Sequence, residues 1–150
     1  MDNIVVRAMC EEDIIAVVEI EEESFSLPWS YKSFEESLQL QYSSFFVAVI
    51  DGIVAGYIGT YLIGGDIDIT NIAVKKSFRR QGIADKLIEE VFTYAKEEKV
   101  EFINLEVRVS NIPARTLYEK YGFVQIGLRK NFYSKPVEDG ILMQKNMLDD

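Results

Sequence analysis

Arg79-Arg80-Gln81-Gly82-Ile83-Ala84 is the stretch that most narrows the fold of this chain. It lies between a predicted strand, residues 67–74, and the clearest predicted helix, residues 83–99. A helix N-terminus carries unpaired N–H groups and a partial positive charge, and a glycine lets the backbone approach an anion closely. The loop therefore predicts a phosphate or pyrophosphate site, with an ordinary solvated basic loop as the alternative.

The loop matches neither of the two common phosphate-binding motifs, but its surroundings support an anion site. The loop lacks the Gly-Lys-Ser/Thr of a Walker loop, and its glycine spacing differs from the dinucleotide fingerprint. Basic residues are concentrated here in an otherwise acidic chain, at Lys75, Lys76, Arg79 and Arg80. The following helix has an apolar stripe formed by Ile83, Leu87, Ile88, Val91, Phe92 and Ala95.

The strand before the loop changes its alternation. Ile67 and Ile69 alternate in one phase, whereas Ile72 and Val74 alternate in the other. A one-residue slip near residues 70–71 is what a β-bulge produces, because one extra residue moves the following side chains to the opposite face. A strand that is buried on both faces would tolerate the same pattern, so both interpretations stay open.

The remaining segments predict an α/β fold. Their order is β-α-α-β-β-β-α-β-α-β-β, with Asp51-Gly52 as a tight hairpin turn and Ser30 as a helix cap. In the first helix, residues 12–25, the core-facing positions are expected to be Ile14, Ile15, Val18 and Ile20. We expect one domain, residues 1–150, with a mixed sheet, at least one parallel strand pair and helices on the sheet faces.

Composition excludes several chemistries. The chain has no histidine and a single cysteine, Cys10, which removes His-dependent nucleophilic sites, His-ligated zinc and internal disulfides. Residues 1–3 show no signal peptide and no apolar run is long enough to span a bilayer, so a cytosolic location is expected. The net charge of −9 disfavours direct nucleic-acid binding and suits a basic acceptor, or serves solubility alone.

Five motifs occur in a fixed order. Arg-x-x-Gly-x-Ala follows a strand ending in Asn-Ile-Ala-Val, and the others lie at residues 25–30, 105–111, 117–123 and 129–143. Over nearly the whole chain this combination resembles the GNAT family of N-acetyltransferases, and within it the bacterial ribosomal-protein-alanine N-acetyltransferases. Ala84 stands where many members have glycine, and residues 140–142 depart slightly from the usual pattern.

The resemblance implies a GNAT fold with acetyl-CoA as cosubstrate and no metal. In that fold the central sheet is mostly antiparallel, and a bulge splays the fourth strand from a parallel fifth strand, with pantetheine in the gap. Residues 25–30 and 131–133 would shape the acceptor groove. The implied cofactor-binding residues are Ile72, Ala73, Val74, Arg80, Gln81, Gly82, Ile83, Ala84, Asp85 and Asn111.

Two further residues match the catalytic positions of the family. The resemblance implies that Glu106 is the general base and Tyr118 the general acid. Glu106 could instead be a sheet carboxylate paired with Arg108, and Tyr118 could simply pack in the core. Asn111 could cap the helix as well as contact the cofactor.

Three functions are therefore carried forward. The leading one is acetylation of the N-terminal α-amine of a basic protein or peptide, with an N-terminal alanine of a small-subunit ribosomal protein as the expected acceptor. Membranes and nucleic acids are not expected partners. The alternatives are acetylation of a small-molecule amine, such as a polyamine or antibiotic, and a non-catalytic acyl-CoA-binding protein.

Overall fold

A computed structural model of the protein describes residues 3–149, so Met1, Asp2 and part of the signal-peptide prediction lie outside it. The strands are β1 (Ile4–Ala8), β2 (Ser43–Ile50), β3 (Ile53–Ile63), β4 (Asp66–Val74), β5 (Phe102–Arg108), β6 (Val124–Tyr133) and β7 (Glu138–Asn146). The helices are α1 (Ile14–Ser24), α2 (Tyr31–Leu38), α3 (Ile83–Glu97) and α4 (Ile112–Lys120). This order confirms the one predicted from the sequence.

The strands form one sheet of seven, in the order β1-β2-β3-β4-β5-β7-β6. Every neighbouring pair is antiparallel except β4 and β5, which run parallel. The predicted mixed sheet with one parallel pair is therefore confirmed. None of the helices within residues 3–149 combines the length and the apolar character that crossing a bilayer requires.

Helices cover both faces of the sheet, as successive strand residues show. Ala48 and Ile58 belong to the apolar core under α3 and α4, whereas their neighbours Val47 and Tyr57 belong to the core under α1 and α2. Because side chains alternate along a strand, these two cores lie on opposite faces. The predicted stripe of α3 is buried except for Phe92, which is half-buried.

The first helix differs from the expectation. Ile15 is 67% exposed, whereas Val17 is fully buried, so the predicted core-facing set was wrong at Ile15. The reason is that residues 11–13 form a 3-10 turn and the α-helix begins only at Ile14. The positions of this helix that face the core are Ile14, Val17, Ile20 and Glu21, which leaves Ile15 on the outer side.

Several turns and caps are as predicted. Asp51 and Gly52 both have positive φ, 49° and 79°, as a tight hairpin turn requires. Ser33 N–H donates to the Ser30 hydroxyl at 3.1 Å, which caps α2.

The last strand begins at Glu138 rather than at the predicted Ile141, because Gly140 already pairs with β5 and β6.

Candidate active site

The phase change in β4 is a bulge. Gly59 of β3 lies opposite Asn71, but Thr60 lies opposite Ile69, so Thr70 is the extra residue on β4. The interpretation of the slip as a bulge is therefore confirmed at the expected place. A bulge bends its strand and increases its twist, which turns the second half of β4 away from β5.

A groove opens where β4 and β5 separate. Their parallel pairing covers two residue pairs, Ile67 with Ile103 and Asp68 with Asn104, and then stops. Beyond that point the strands and the loops around them enclose a groove of about 980 Å³. Its walls come from β4, β5, the start of α3, α4, the segment after α1 and the end of β6. A gap between two strands at midsheet exposes backbone groups that have no partner strand.

The loop before α3 has the backbone that an anion site needs. Arg80 and Gly82 have positive φ of 65° and 77°, and α3 begins directly at Ile83. A Cβ added at Gly82 would meet no protein atom within 4 Å, so the backbone borders open space. The first N–H groups of a helix have no intrahelical partner, and here they adjoin that space. The predicted anion site therefore has a fitting shape.

Hydrogen bonds fix this loop to its neighbours. Arg79 Nε donates to the carbonyl of Val74 at 3.1 Å, and Lys76 N–H donates to Glu23 Oε1 at 2.7 Å. Glu23 thus joins the end of α1 to the loop. The arginine bond holds the loop against the end of β4, beside the gap.

Asp85, in the first turn of α3, has a structural role. Its Oδ1 accepts hydrogen bonds from Lys120 Nζ at 2.5 Å and from Tyr121 Oη at 2.8 Å, which joins α3 to α4. Burial opposes ionisation, but these hydrogen bonds prevail and lower the pKa of Asp85 below its usual value. The side chain of Asp85 is therefore negatively charged, and only its backbone N–H is suited to bind an anion.

The groove brings the sequence-predicted residues together. Every residue implied to bind the cofactor or to act in catalysis lines it except Gln81, which is exposed on the loop outside the lining. Asn111 has the capping role as well, because its Oδ1 accepts the Ala114 N–H at 3.2 Å. The lining members of the predicted set are Ile72, Ala73, Val74, Arg80, Gly82, Ile83, Ala84, Asp85, Glu106, Asn111 and Tyr118.

Glu106 presents an unsatisfied carboxylate oxygen to the site. Across residues 3–149, its Oε2 is a buried side-chain oxygen with no hydrogen-bond partner. Its Oε1 lies 3.8 Å from Arg129 Nη1, a loose ion pair at the groove edge. A buried acceptor without a donor is costly, so its persistence at a groove wall is typical of a functional group.

The alternative partner for Glu106 was wrong. Arg108 pairs with Glu138 at 3.2 Å, not with Glu106. It also donates to the carbonyls of Pro136 and Ser134 at 2.9 and 3.0 Å, and its guanidinium lies 4.5 Å from the ring centre of Tyr133. Arg108 therefore holds the loop between β6 and β7 over the end of β5.

Tyr118 is buried, with 5% of its surface exposed, and its ring lies 5.8 Å from that of Phe123. Burial, with a smaller contribution from Tyr133, raises the pKa of Tyr118 well above its usual value. Burial and the charge of Glu106 raise the pKa of Tyr133 to about 12. Both hydroxyls therefore stay protonated at neutral pH.

Two supports of the site were not predicted. Glu138 holds two parts of the site together, because its Oε2 accepts the Ser110 N–H at 2.5 Å while its Oε1 pairs with Arg108. Glu21 was not singled out at all, yet it is 2% exposed and lines the groove. The signal for Glu21 was the helical spacing from Ile14. Nothing in the sequence pattern indicates the pairing of Arg108 with Glu138.

Within the part of the chain that the structure describes, acidic and cysteine side chains form no group of three that could hold a metal ion. The groove itself presents the carboxylate of Glu106, the phenols of Tyr118 and Tyr133, and backbone N–H groups. This set can accept a proton, donate a proton and bind an anion.

Comparison with known proteins gives consistent matches. The profile of the Acetyltransferase (GNAT) family matches residues 14–123. A Bacillus subtilis protein, provisionally named a ribosomal protein bS18-alanine N-acetyltransferase, is 42% identical over 139 residues, covering 92% of each chain. The Escherichia coli enzyme of that name is 33% identical, over 85% of this chain and 84% of its own.

The fold has a close match among solved structures. The crystal structure of the Escherichia coli ribosomal-protein-S18-alanine N-acetyltransferase superposes with a TM-score of 0.90 at 29% identity. The superposition covers 97% of this chain and 94% of the other. The similarity of fold therefore extends over nearly the whole of both chains.

Proposed function

Because this chain belongs to the GNAT family of acetyltransferases, we propose that it transfers the acetyl group of acetyl-CoA to the N-terminal α-amine of a protein. The chain is an acyltransferase that acts on an amine. The proposed acceptor is an N-terminal alanine of a small-subunit ribosomal protein, since two relatives that each align over at least 85% of this chain are named for that reaction. The enzyme would meet an acceptor of this kind in the cytoplasm. Residues 1–150 would form a single catalytic domain.

The observation that carries the proposal is the partnerless Oε2 of Glu106 at the wall of the groove. An α-ammonium group has a pKa of about 8, so only a modest proton acceptor is needed to give the nucleophilic free amine. A carboxylate oxygen that no protein donor occupies is free to accept that proton, directly or through a water.

The proposed reaction is a direct transfer. The free amine attacks the thioester carbonyl, a C–N bond forms and the C–S bond breaks. Glu106 holds the proton taken from the ammonium group, and Tyr118 supplies a proton to the departing sulfur. The second proton, which the nitrogen loses as the amide forms, restores the Tyr118 hydroxyl through water, and Glu106 releases its proton to solvent. The raised pKa of Tyr118 supports this role, because its hydroxyl then stays protonated throughout the neutral range.

The residues around the gap fit the cosubstrate. The loop with Arg80 and Gly82 borders open space at the start of α3, which suits a pyrophosphate. Residues 72–74 of β4 have no neighbouring strand on the β5 side, so their backbone groups can bond to the amides of pantetheine. Gln81, which lies outside the lining, is the weakest member of the proposed set.

A panel of acceptors tests the proposal. The purified protein is incubated with acetyl-CoA and one of three amines: a basic peptide with a free N-terminal alanine, the same peptide blocked at its N-terminus, and spermidine. Mass spectrometry should locate a single acetyl group on the alanine nitrogen of the first peptide. Preference for the blocked peptide, through a lysine, or for spermidine would replace the proposed acceptor.

A second measurement tests the proposed base. Glu106→Gln keeps the size of the side chain and removes its basicity, so turnover should fall by about 10²-fold or more. Acetyl-CoA binding should stay within about twofold, because nothing in the loop changes. The matched control is Glu101→Gln, an exposed carboxylate just before β5. Equal turnover in both variants would remove Glu106 from the chemistry.

A further inference from the structure

Glu21 is a buried carboxylate that the proposed chemistry does not use. It lies in the last turn of α1, is 2% exposed and borders the groove. A carboxylate in such a place needs hydrogen-bond donors to remain stable. The donors that it has come from two different parts of the site.

One donor belongs to the segment that follows α1. The backbone N–H of Trp29 donates to Glu21 Oε2 at 2.8 Å. We call residues 25–30 the acceptor-side loop, since residues 25–27 and Trp29 line the groove beside β4. This bond links the loop to the helix eight residues earlier.

The other donor leads to the bulge. Tyr57 Oη of β3 donates to Glu21 Oε1 and accepts a hydrogen bond from Asn71 Nδ2 at 3.3 Å. Asn71 Oδ1 in turn accepts the hydroxyl of Thr70 at 2.5 Å. A continuous series of hydrogen bonds therefore runs from Thr70, the extra residue of the bulge, to the backbone of the acceptor-side loop.

We propose that Glu21 is a positioning residue that holds the acceptor-side loop in register with the β4 bulge. The inference rests on the proposed function, because that function places pantetheine along residues 72–74, next to the bulge, and an acceptor amine in the groove beside residues 25–30. Both oxygens of Glu21 accept, one from each side. A carboxylate of this length can accept from both donors, whereas a glutamine presents an NH₂ group to one of them.

Three variants separate positioning from charge and from folding. Glu21→Gln breaks one of the two links, and Tyr57→Phe removes the link to the bulge while it leaves the Trp29 bond in place. Glu22→Gln is the matched control, because it removes one negative charge from an exposed position one residue further along the chain. Each variant is assayed for acceptor KM, kcat, acetyl-CoA Kd and Tm, with whichever amine the wild type acetylates.

We expect the variants to weaken the use of the acceptor and to leave acetyl-CoA binding unchanged, a result that we call the split between the two substrates. Glu21→Gln and Tyr57→Phe should each raise the acceptor KM by about tenfold, the effect of losing one hydrogen bond to a charged group. Their kcat and acetyl-CoA Kd should stay within about twofold, and Glu22→Gln should match the wild type. A purely structural role would lower Tm and alter both substrates together, so the split distinguishes the two.

Several outcomes would overturn the inference. Equal KM changes in Glu21→Gln and Glu22→Gln would mean that charge attraction alone is involved. A normal KM in Tyr57→Phe would remove the link to the bulge, and this variant decides the matter if Glu21→Gln does not fold. The wild type could instead acetylate a different amine while the two variants still raise only the KM for that amine. In that case the acceptor proposal fails and the positioning role stands.

Discussion

Replacing Tyr118 by phenylalanine should separate chemistry from packing. The ring is buried against Phe123 and keeps its contacts, so the free energy of unfolding should change by about 1 kcal/mol or less. A general acid contributes about 10²–10⁴-fold to turnover. A free thiol has a pKa of about 8.5, so the thiolate leaves with only moderate assistance from an acid. We therefore take the lower end of that range of rate enhancement. We expect kcat to fall by about 10²-fold, which corresponds to about 2.7 kcal/mol of activation free energy.

The assay follows release of the CoA thiol with a chromogenic thiol reagent, and equilibrium binding gives the acetyl-CoA Kd. The matched control is Tyr94→Phe. Tyr94 is half-buried on α3, packs against Phe46 at 6.0 Å and lies outside the groove lining. The reasoning is refuted if Tyr118→Phe keeps kcat within twofold of the control, or if the acetyl-CoA Kd weakens as much as kcat falls.

The pH dependence gives a second readout of the same hydroxyl. A proton donor acts below its pKa and is lost above it. Because burial raises the pKa of Tyr118 above its ordinary value of about 10, wild-type kcat should show no loss from this group below about pH 10. A descending limb near pH 8 that disappears in Tyr118→Phe would contradict the raised pKa.

Three further predictions concern backbone and stability. Gly82→Val should weaken acetyl-CoA binding by about tenfold in calorimetry, because a left-handed φ of 77° strains a branched residue by about 1–2 kcal/mol and shifts the loop. Asp13→Asn should lose about 2 kcal/mol in urea unfolding, since Asp13 accepts two Arg7 hydrogen bonds at 2.7 and 2.9 Å. Gly59→Ala should lose about 1–3 kcal/mol, because its Cβ would lie 2.5 Å from Thr70 Oγ1.

The Gly82 and Asp13 predictions each have a discriminating control. Gly64→Val has a similar positive φ and open space at the turn between β3 and β4, so it should leave acetyl-CoA binding unchanged. The Arg7 hydrogen bonds lower the pKa of Asp13, so its contribution is present above about pH 4 and is lost as pH falls through the folded pKa. The Asp13→Asn deficit should therefore shrink in acid. A constant deficit, or Gly64→Val binding as weakly as Gly82→Val, would contradict these accounts.

The parts of the site that the sequence predicted depend on local signals. The bulge at Thr70 shows as a change of alternation within nine residues of one strand. The anion loop shows as glycine and basic residues before an amphipathic helix, and Gly82 does take a positive φ. Such features follow from the periods of strand and helix and from the conformational freedom of glycine, so they need no knowledge of distant residues.

The parts that were missed depend on pairing across the fold. Arg108 reaches Glu138, thirty residues away, because β5 and β7 pair with Arg108 opposite Gly140. The sequence pattern does not set which acid faces which base across a sheet, so pairing Glu106 with Arg108 was as reasonable as the true arrangement. Register decides it, and here register leaves Glu106 Oε2 without a partner.

Glu21 lies between these two cases, and its burial follows from a local rule. Ile14, Val17 and Glu21 are buried at the i, i+3 and i+7 positions of one helix face, so the carboxylate continues the apolar stripe. A charged residue at a core position requires a donor on the facing element. Tyr57, a fully buried phenol on β3, is that donor. The helical period thus indicates that Glu21 is internal, and the sheet determines that its partner leads to the bulge.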